Sequence, residues 1–229
     1  MARLDGKTAL VTGASRGVGA LVAKALAAEG ASLVLHARTP ERCEAVRDAI
    51  RANGGKAEIL AAELERPDQV EALGQALLAK GGVDILYNNA GVMAQWSETG
   101  AHQREEWLRN LQINLLAPVR LCELLVPAMR TRRWGRVVNV TTGMENQLEL
   151  VPYSTAKAAL DKYTRELAQA VIGDGVVVNL LDPGWLRTDL GGPEAPNAPE
   201  SVLPGALVPV LYPDDGPFGT VVRAQEHRR

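Results

Sequence analysis

Tyr153 and Lys157 stand four residues apart in Tyr153-Ser154-Thr155-Ala156-Lys157. That spacing stacks two side chains on one face of a helix. A free phenol titrates near pH ~10, and a neighbouring ammonium favours the phenolate and lowers that value. A phenol tuned in this way gives a proton to a carbonyl oxygen while a hydride reaches the carbon. Thr141 and Thr142 close the apolar run that starts at Arg136 and bring hydroxyls to a strand end. Asn114 lies on an otherwise apolar helix face, among Trp107, Leu111, Leu115 and Leu121, with Pro118 four residues on. A polar side chain there needs a partner or a local break in the helix ladder. It either braces a kink or holds a water at one. A Tyr–Lys pair at this spacing also occurs in helices with no chemical role, so the pair gains meaning only from its company.

A second cluster has the makings of an anion seat. The apolar run 8–12 breaks at Gly13, and a helix-period run begins near Gly17, with Val18, Leu21, Val22, Ala25 and Leu26 on i, i+3, i+4 spacing. Unpaired amides and the helix dipole at such a junction both favour a phosphate. Gly13, Gly17 and Gly19 omit side chains where backbone turns, approaches a ligand or packs closely. Their spacing, G-x-x-x-G-x-G, differs from the commoner dinucleotide fingerprint G-x-G-x-x-G. Taken alone it also fits an ordinary strand-to-helix turn. After the next apolar run comes His36-Ala37-Arg38, with no carboxylate from Ser32 to Pro40. An Asp or Glu there would hold ribose hydroxyls, whereas an Arg accommodates a 2′-phosphate. Arg38, with Arg16 in the glycine turn, therefore points to NADP(H) over NAD(H), against the alternative of two solvated arginines. Glu63 and Leu64 follow the third run, and Asn88-Asn89-Ala90-Gly91 the fourth.

These residues need a scaffold. Apolar runs at 8–12, 32–37, 57–62, 83–87, 136–141, 176–181 and, weakly, 219–223 alternate with helix-period segments near 17–29, 41–52, 67–80, 104–130 and 152–172. Strand–helix alternation with nearly continuous apolar strands predicts a parallel sheet covered on both faces, a doubly wound Rossmann-type α/β fold. Ligands in such sheets bind at the carboxyl ends of the strands, where each cluster above falls. With 229 residues and 46% hydrophobic content, residues 1–229 suffice for one domain. A net charge of −2 gives no nucleic-acid footprint. Cys43 and Cys122 fall in helical segments, which argues for a reducing, cytoplasmic setting without a disulfide framework. The apolar stretch 115–129 is interrupted by Arg120 and Glu123, so no membrane span is expected. Eight of the 13 prolines lie from Pro183 onward, so the end of the chain reads as loop.

Taken as a set, Thr12-Gly13-x-x-x-Gly17-x-Gly19, Asn88-Asn89-Ala90-Gly91, Asn114, Tyr153-x-x-x-Lys157 and Asp182-Pro183-Gly184 with Thr188 resemble the short, single-domain branch of the short-chain dehydrogenase/reductase family. The resemblance covers about residues 5–190, and the tail 213–219 is similar to endings of carbonyl-reductase-like members. It implies a seven-stranded, mostly parallel sheet and hydride exchange between NAD(P) and an alcohol or carbonyl. Tyr153 would be the acid/base, Lys157 its tuning group and ribose ligand, and Asn114 the holder of a relay water. Gly13, Ser15, Arg16, Gly17, Val18 and Gly19 would seat phosphates and ribose, with Arg38 at a 2′-phosphate and Glu63-Leu64 near the adenine. Asn89, Ala90 and Gly91 would line the cofactor; Thr188, after the Pro183-Gly184 turn, would anchor the carboxamide. Thr142 replaces the usual serine, and the interval to Tyr153 is about two residues short; Thr142, rather than Thr141, is the hydroxyl expected at the substrate. Substrate loops are expected at 92–103, 143–152 and 190–212, with Met93, Trp96, Met144 and Trp185 as apolar wall candidates. The last loop looks too short for the usual helical lid. The resemblance also implies a homodimer or homotetramer acting on a small molecule. A non-catalytic dinucleotide sensor or partner-binding subunit on the same fold is the competing reading.

Overall fold

The structure, a computed structural model, describes residues 3–227; the outermost residues of the expected 1–229 domain, 1–2 and 228–229, lie outside the described residues. Seven strands form one sheet: β1 (Thr8–Val11), β2 (Ser32–Ala37), β3 (Ala57–Ala61), β4 (Ile85–Asn88), β5 (Gly135–Val140), β6 (Val176–Asp182) and β7 (Val221–Arg223). Their order is β3-β2-β1-β4-β5-β6-β7. Every pairing is parallel, in line with the expected sheet. Among the described residues six α-helices connect and cover them: α1 (Gly17–Ala28), α2 (Glu44–Ala52), α3 (Pro67–Ala79), α4 (Arg104–Leu111), α5 (Ala117–Arg132) and α6 (Val151–Ala170).

The two-residue period of the strands divides the core. Ala9, Val11, Leu33 and Leu35 face one side with Val22 and Leu26 of α1 and Val46 and Ile50 of α2. Leu10, Val34 and Leu86 face the other with Val70, Leu73 and Leu77 of α3 and Leu121, Leu125 and Met129 of α5. Each such leucine withdrawn from water contributes roughly 1.5–3 kcal/mol before entropy is counted. On α1 the buried face is Gly19, Ala20, Val22, Ala23 and Leu26, while Val18, Leu21 and Ala25 pack at its margin. The contact stripe is therefore rotated toward the small residues, because α1 lies close on the sheet. Cys43 and Cys122 are free and buried.

The expected helix 104–130 is not one regular rod. Between α4 and α5 the segment Gln112–Leu116 makes a π-type turn, with Asn114 fully buried inside it. Pro118 cannot donate to the ladder, and a wider turn absorbs the mismatch. The whole stretch Arg104–Arg132 is long and apolar enough to cross a membrane by length and composition. Here its apolar residues are spent on the core: Ala117, Leu121, Cys122, Leu125, Val126 and Met129 pack against the sheet.

Candidate active site

Strand order reverses between β1 and β4, and the crevice at their carboxyl ends is built from residues that follow each strand. Gly13 has φ +65 and Gly17 φ +54, both in the left-handed region. A Cβ on Gly13 would lie 2.9 Å from Ala90 Cα, and one on Gly19 only 2.2 Å from Gly13 O and 2.5 Å from Asn89 Nδ2. The glycines thus let the turn, α1 and the strand after β4 close on one another. Asn89 ties the crevice shut from the far side: its Nδ2 donates to Thr12 O at 2.9 Å, and Thr12 Oγ1 accepts from the amides of Asn89 and Ala90, each at 3.0 Å. Gly17, Val18 and Gly19 present first-turn amides with no partner among the described residues, and Arg16 at the N-cap gives no side-chain cap. An open cradle of amides at a helix N-terminus fits a dinucleotide pyrophosphate. Half-buried Ser15 lies in the same turn.

A residue that the spacing arguments passed over holds this turn in place. His36, 2% exposed at the end of β2, accepts from Gly13 N through Nδ1 at 3.3 Å, and its Nε2 meets Ala62 O at 3.0 Å. A carbonyl partner requires the proton on Nε2, which leaves Nδ1 as the acceptor. Burial lowers its pKa from 6.5 to about 4, so the ring is neutral at physiological pH. Beyond Ala62, Glu63 is half-buried with its amide donating to Gln69 Oε1 at 2.6 Å. Leu64 is buried, and its carbonyl accepts from Gln112 Nε2 at 3.1 Å.

The two arginines part company. Arg38 is exposed beyond β2. Arg16 forms an ion pair with Asp189 in the loop after β6, both side chains well exposed. Beside it, Thr188 Cγ2 lies 3.4 Å from where a Cβ on Gly17 would stand. The loop after β6 is thereby laid over the glycine turn. It starts at Gly184 (φ +78), whose amide donates to Asp182 Oδ1 at 2.9 Å, while Pro183 O accepts from Gln225 Nε2 at 2.8 Å. Thr188 Oγ1 accepts from Gly191 N at 3.2 Å.

Tyr153 and Lys157 sit in the first two turns of α6 and are 5% and 4% exposed. Lys157 Nζ donates to Val140 O at 2.7 Å and lies 6.0 Å from the Tyr153 ring centroid. Burial pushes the Tyr153 phenol up to about 12, a hydrogen bond with Thr142 works the other way, and the Asp182 carboxylate adds to the rise. The pull expected of Lys157 on the phenol is outweighed here: the ammonium is committed to the end of β5, and desolvation dominates. Burial also brings Lys157 itself down to about 8. Of the two threonines, Thr141 is buried and bonded to Asp161, whereas Thr142 stands beside Tyr153 and accepts from Met144 N at 3.2 Å.

Asn114 completes the group. The π-type turn aims its amide at the strand after β4: Nδ2 donates to Val92 O at 2.9 Å, and Oδ1 accepts from Val92 N at 3.0 Å. A Cβ on Gly91 would lie 3.0 Å from Asn114 Oδ1 and 3.9 Å from Lys157 Nζ, so Gly91 is the gap through which the two approach. Met93, Ala94, Met144 and Leu150 pack around Tyr153 as an apolar wall. Ser97 N donates to Glu149 O at 3.2 Å and joins the first two expected substrate loops. Trp96 and Trp185 are 62% and 58% exposed and do not join that wall. Between Asp182 and Val221 the described residues form short 3₁₀ turns, Pro199–Val202 and Gly205–Leu207, rather than a helical lid. Val202, Ala206, Leu207 and Val210 anchor that stretch in the core, and Tyr87 donates to Ala206 O at 2.9 Å.

The chain matches the short chain dehydrogenase family over residues 7–198. It is 35% identical over 190 residues to the 3-oxoacyl-(acyl-carrier-protein) reductase FabG of Vibrio cholerae serotype O1, covering 82% of this chain and 76% of that protein. Among solved structures, a metagenomic short-chain oxidoreductase in complex with NADP superimposes with a TM-score of 0.85 at 31% identity, over 96% of this chain and 98% of that one. A 3-oxoacyl (acyl-carrier-protein) reductase from Agrobacterium tumefaciens C58 with NADP bound gives 0.89 at 30% identity, over 96% and 93%. A sheet whose strand ends bring a glycine cradle, a buried Tyr–Lys pair and a π-turned asparagine together is thus matched in both sequence and fold, and the chain belongs to the short-chain dehydrogenase family of NAD(P)-dependent oxidoreductases.

Proposed function

We propose that this chain transfers a hydride between NADP(H), preferred over NAD(H), and a small or medium apolar carbonyl or alcohol, with Tyr153 as general acid/base. The observation that carries this reading is the convergence on Gly91: Asn114 Oδ1 and Lys157 Nζ approach its Cα side together, one helical turn from a buried Tyr153 that meets Thr142. Bound NADP(H) supplies the redox equivalent. Tyr153 holds the proton that the substrate oxygen gains or loses, and Thr142 positions that oxygen with a hydroxyl able to donate and accept. Lys157, whose Nζ has donors to spare beyond Val140 O, would also hold the nicotinamide ribose, and Asn114 would hold a relay water. The amides of Gly17, Val18 and Gly19 bind the pyrophosphate, with Gly13 and Ser15 shaping the turn. Arg38 would meet the 2′-phosphate, Glu63 and Leu64 would lie near the adenine, and Asn89, Ala90 and Gly91 would line the cofactor. Thr188, set by Pro183 and Gly184, holds the carboxamide. Arg16, engaged with Asp189, acts on the loop over the pyrophosphate instead of at the 2′-phosphate.

Two solved relatives with NADP bound support the cofactor, and the apolar wall around Tyr153 supports the substrate class. Exposed Leu108 and Leu116, 48% and 50% accessible on the α4–α5 edge, suit a homodimer or homotetramer, and buried free thiols suit the cytoplasm. Tyr153→Phe tests the central role. The variant should lose turnover by at least ~10²-fold, the usual scale for a positioned acid/base, while NADPH still binds. Retained turnover in the purified variant would remove Tyr153 from the chemistry and bring the sensor reading forward.

A further inference from the structure

The side chains at positions 157 and 161 of α6 lie one turn apart on the same face, and they reach the last residue of β5 and the residue after it. Lys157 Nζ donates to Val140 O at 2.7 Å, and the hydroxyl of Thr141, the next residue, donates to Asp161 Oδ1. Thr141 is also fixed through its amide, which donates to Leu181 O at 2.8 Å. The strand end just before Thr142 is therefore clamped from one helix face by a cation and an anion in register.

We propose that Asp161 is a positioning residue for the active site: its carboxylate, bonded to Thr141 and one turn from Lys157, keeps the buried Lys157 ammonium charged and holds the strand end that presents Thr142. This rests on the roles given above to Lys157 and Thr142. A buried ammonium loses hydration, so an unpaired Lys157 would shed its proton within the working pH range. Among the described residues Nζ bonds to a neutral carbonyl, and a nearby carboxylate supplies the missing charge. Lys157 faces Tyr153 and Asp161 on its own helix; Gly91 and Asn114, on the elements opposite, are uncharged. Burial pushes the Asp161 carboxyl up and Asp182, which also acts on Tyr153, adds to the rise, while the bond from Thr141, Arg165 one turn beyond and Lys157 itself favour its charged form. Asp161 is the carboxylate whose field on Lys157 opposes burial.

Asp161→Asn keeps an oxygen for the Thr141 hydroxyl and removes the charge, so it separates electrostatics from packing. The Lys157 Cε resonance, followed by NMR against pH in cofactor-free protein, should titrate at lower pH in Asp161→Asn than in the parent. In the loaded enzyme, the alkaline limb of kcat for carbonyl reduction should move down with it, giving a several-fold loss at pH 8 and little change at pH 6. Asp161→Glu should restore the limb. An unchanged Lys157 midpoint and a superimposable pH profile in a folded Asp161→Asn would overturn the proposal. If Lys157→Met retained turnover, the proposed function would fail instead, and the NMR midpoint would still judge the role of Asp161.

Discussion

Lowering the pH should loosen the glycine turn through one side chain, His36. Its pKa falls from 6.5 to about 4 on folding, because burial disfavours the charged ring. The unfolded chain therefore binds this proton more readily than the folded one, and stability falls as pH drops. The contribution is fully present above the unfolded value and is lost progressively between pH ~6.5 and ~4. Weighing the two protonation equilibria gives a loss of about 2 kcal/mol between pH 7 and pH 5, with a ceiling near 3.4 kcal/mol for the full shift. A protonated ring also cannot accept from Gly13 N, so the cost falls on the turn that seats the phosphates. The assay is urea unfolding at pH 7 and pH 5 for the parent and for His36→Gln, which does not titrate there. The variant should be weaker at pH 7, having lost a fitted acceptor, but its further drop at pH 5 should be smaller than the parent's by about 2 kcal/mol. Lys157, at about 8, adds no slope in this window. Carboxylates held low by surface arginines, such as Asp48 and Glu71, titrate below it and alike in both proteins. Equal pH dependence in parent and variant would refute the reasoning and detach His36 from the turn.

The cradle and the cofactor preference make their own demands. Gly19→Ala would set a methyl 2.2 Å from Gly13 O, a backbone atom that cannot step aside, so α1 must move off the turn. Titration should show at least a tenfold loss of NADPH affinity, with a stability cost of about 1–3 kcal/mol in thermal melts; native affinity in the variant would mean the close approach is not needed. Arg38→Asp should lower the NADPH-to-NADH affinity ratio, read by energy transfer from the four tryptophans. An unchanged ratio would make Arg38 a bystander and return the preference to Arg16.

Alternating apolar runs and helix-period segments were enough to predict the doubly wound sheet, because burial on both faces writes itself into the strands as continuous Val, Ile and Leu. Even the weak run 219–223 formed β7, at Val221–Arg223. The glycine turn, Asn89 and the Tyr153–Lys157 pair were legible for the same local reason: backbone shape and i, i+4 stacking depend on near neighbours. Asn114 with Pro118 signalled a broken helix, though not that the break would be a π-type turn aimed at Val92. What only tertiary structure decided were long-range electrostatics and contacts. His36 matters because β1 and β3 close on it across 23 and 26 residues of sequence. Arg16 is drawn to Asp189, far along the chain, a pairing that no local spacing announces. Thr141 and Thr142 are adjacent and chemically identical; leaving the strand they point to opposite sides, and the packing of α6 puts Asp161 against the first and Tyr153 beside the second. Desolvation raises that phenol against the pull expected of its lysine, since burial is a property of the packed molecule and not of spacing along the helix.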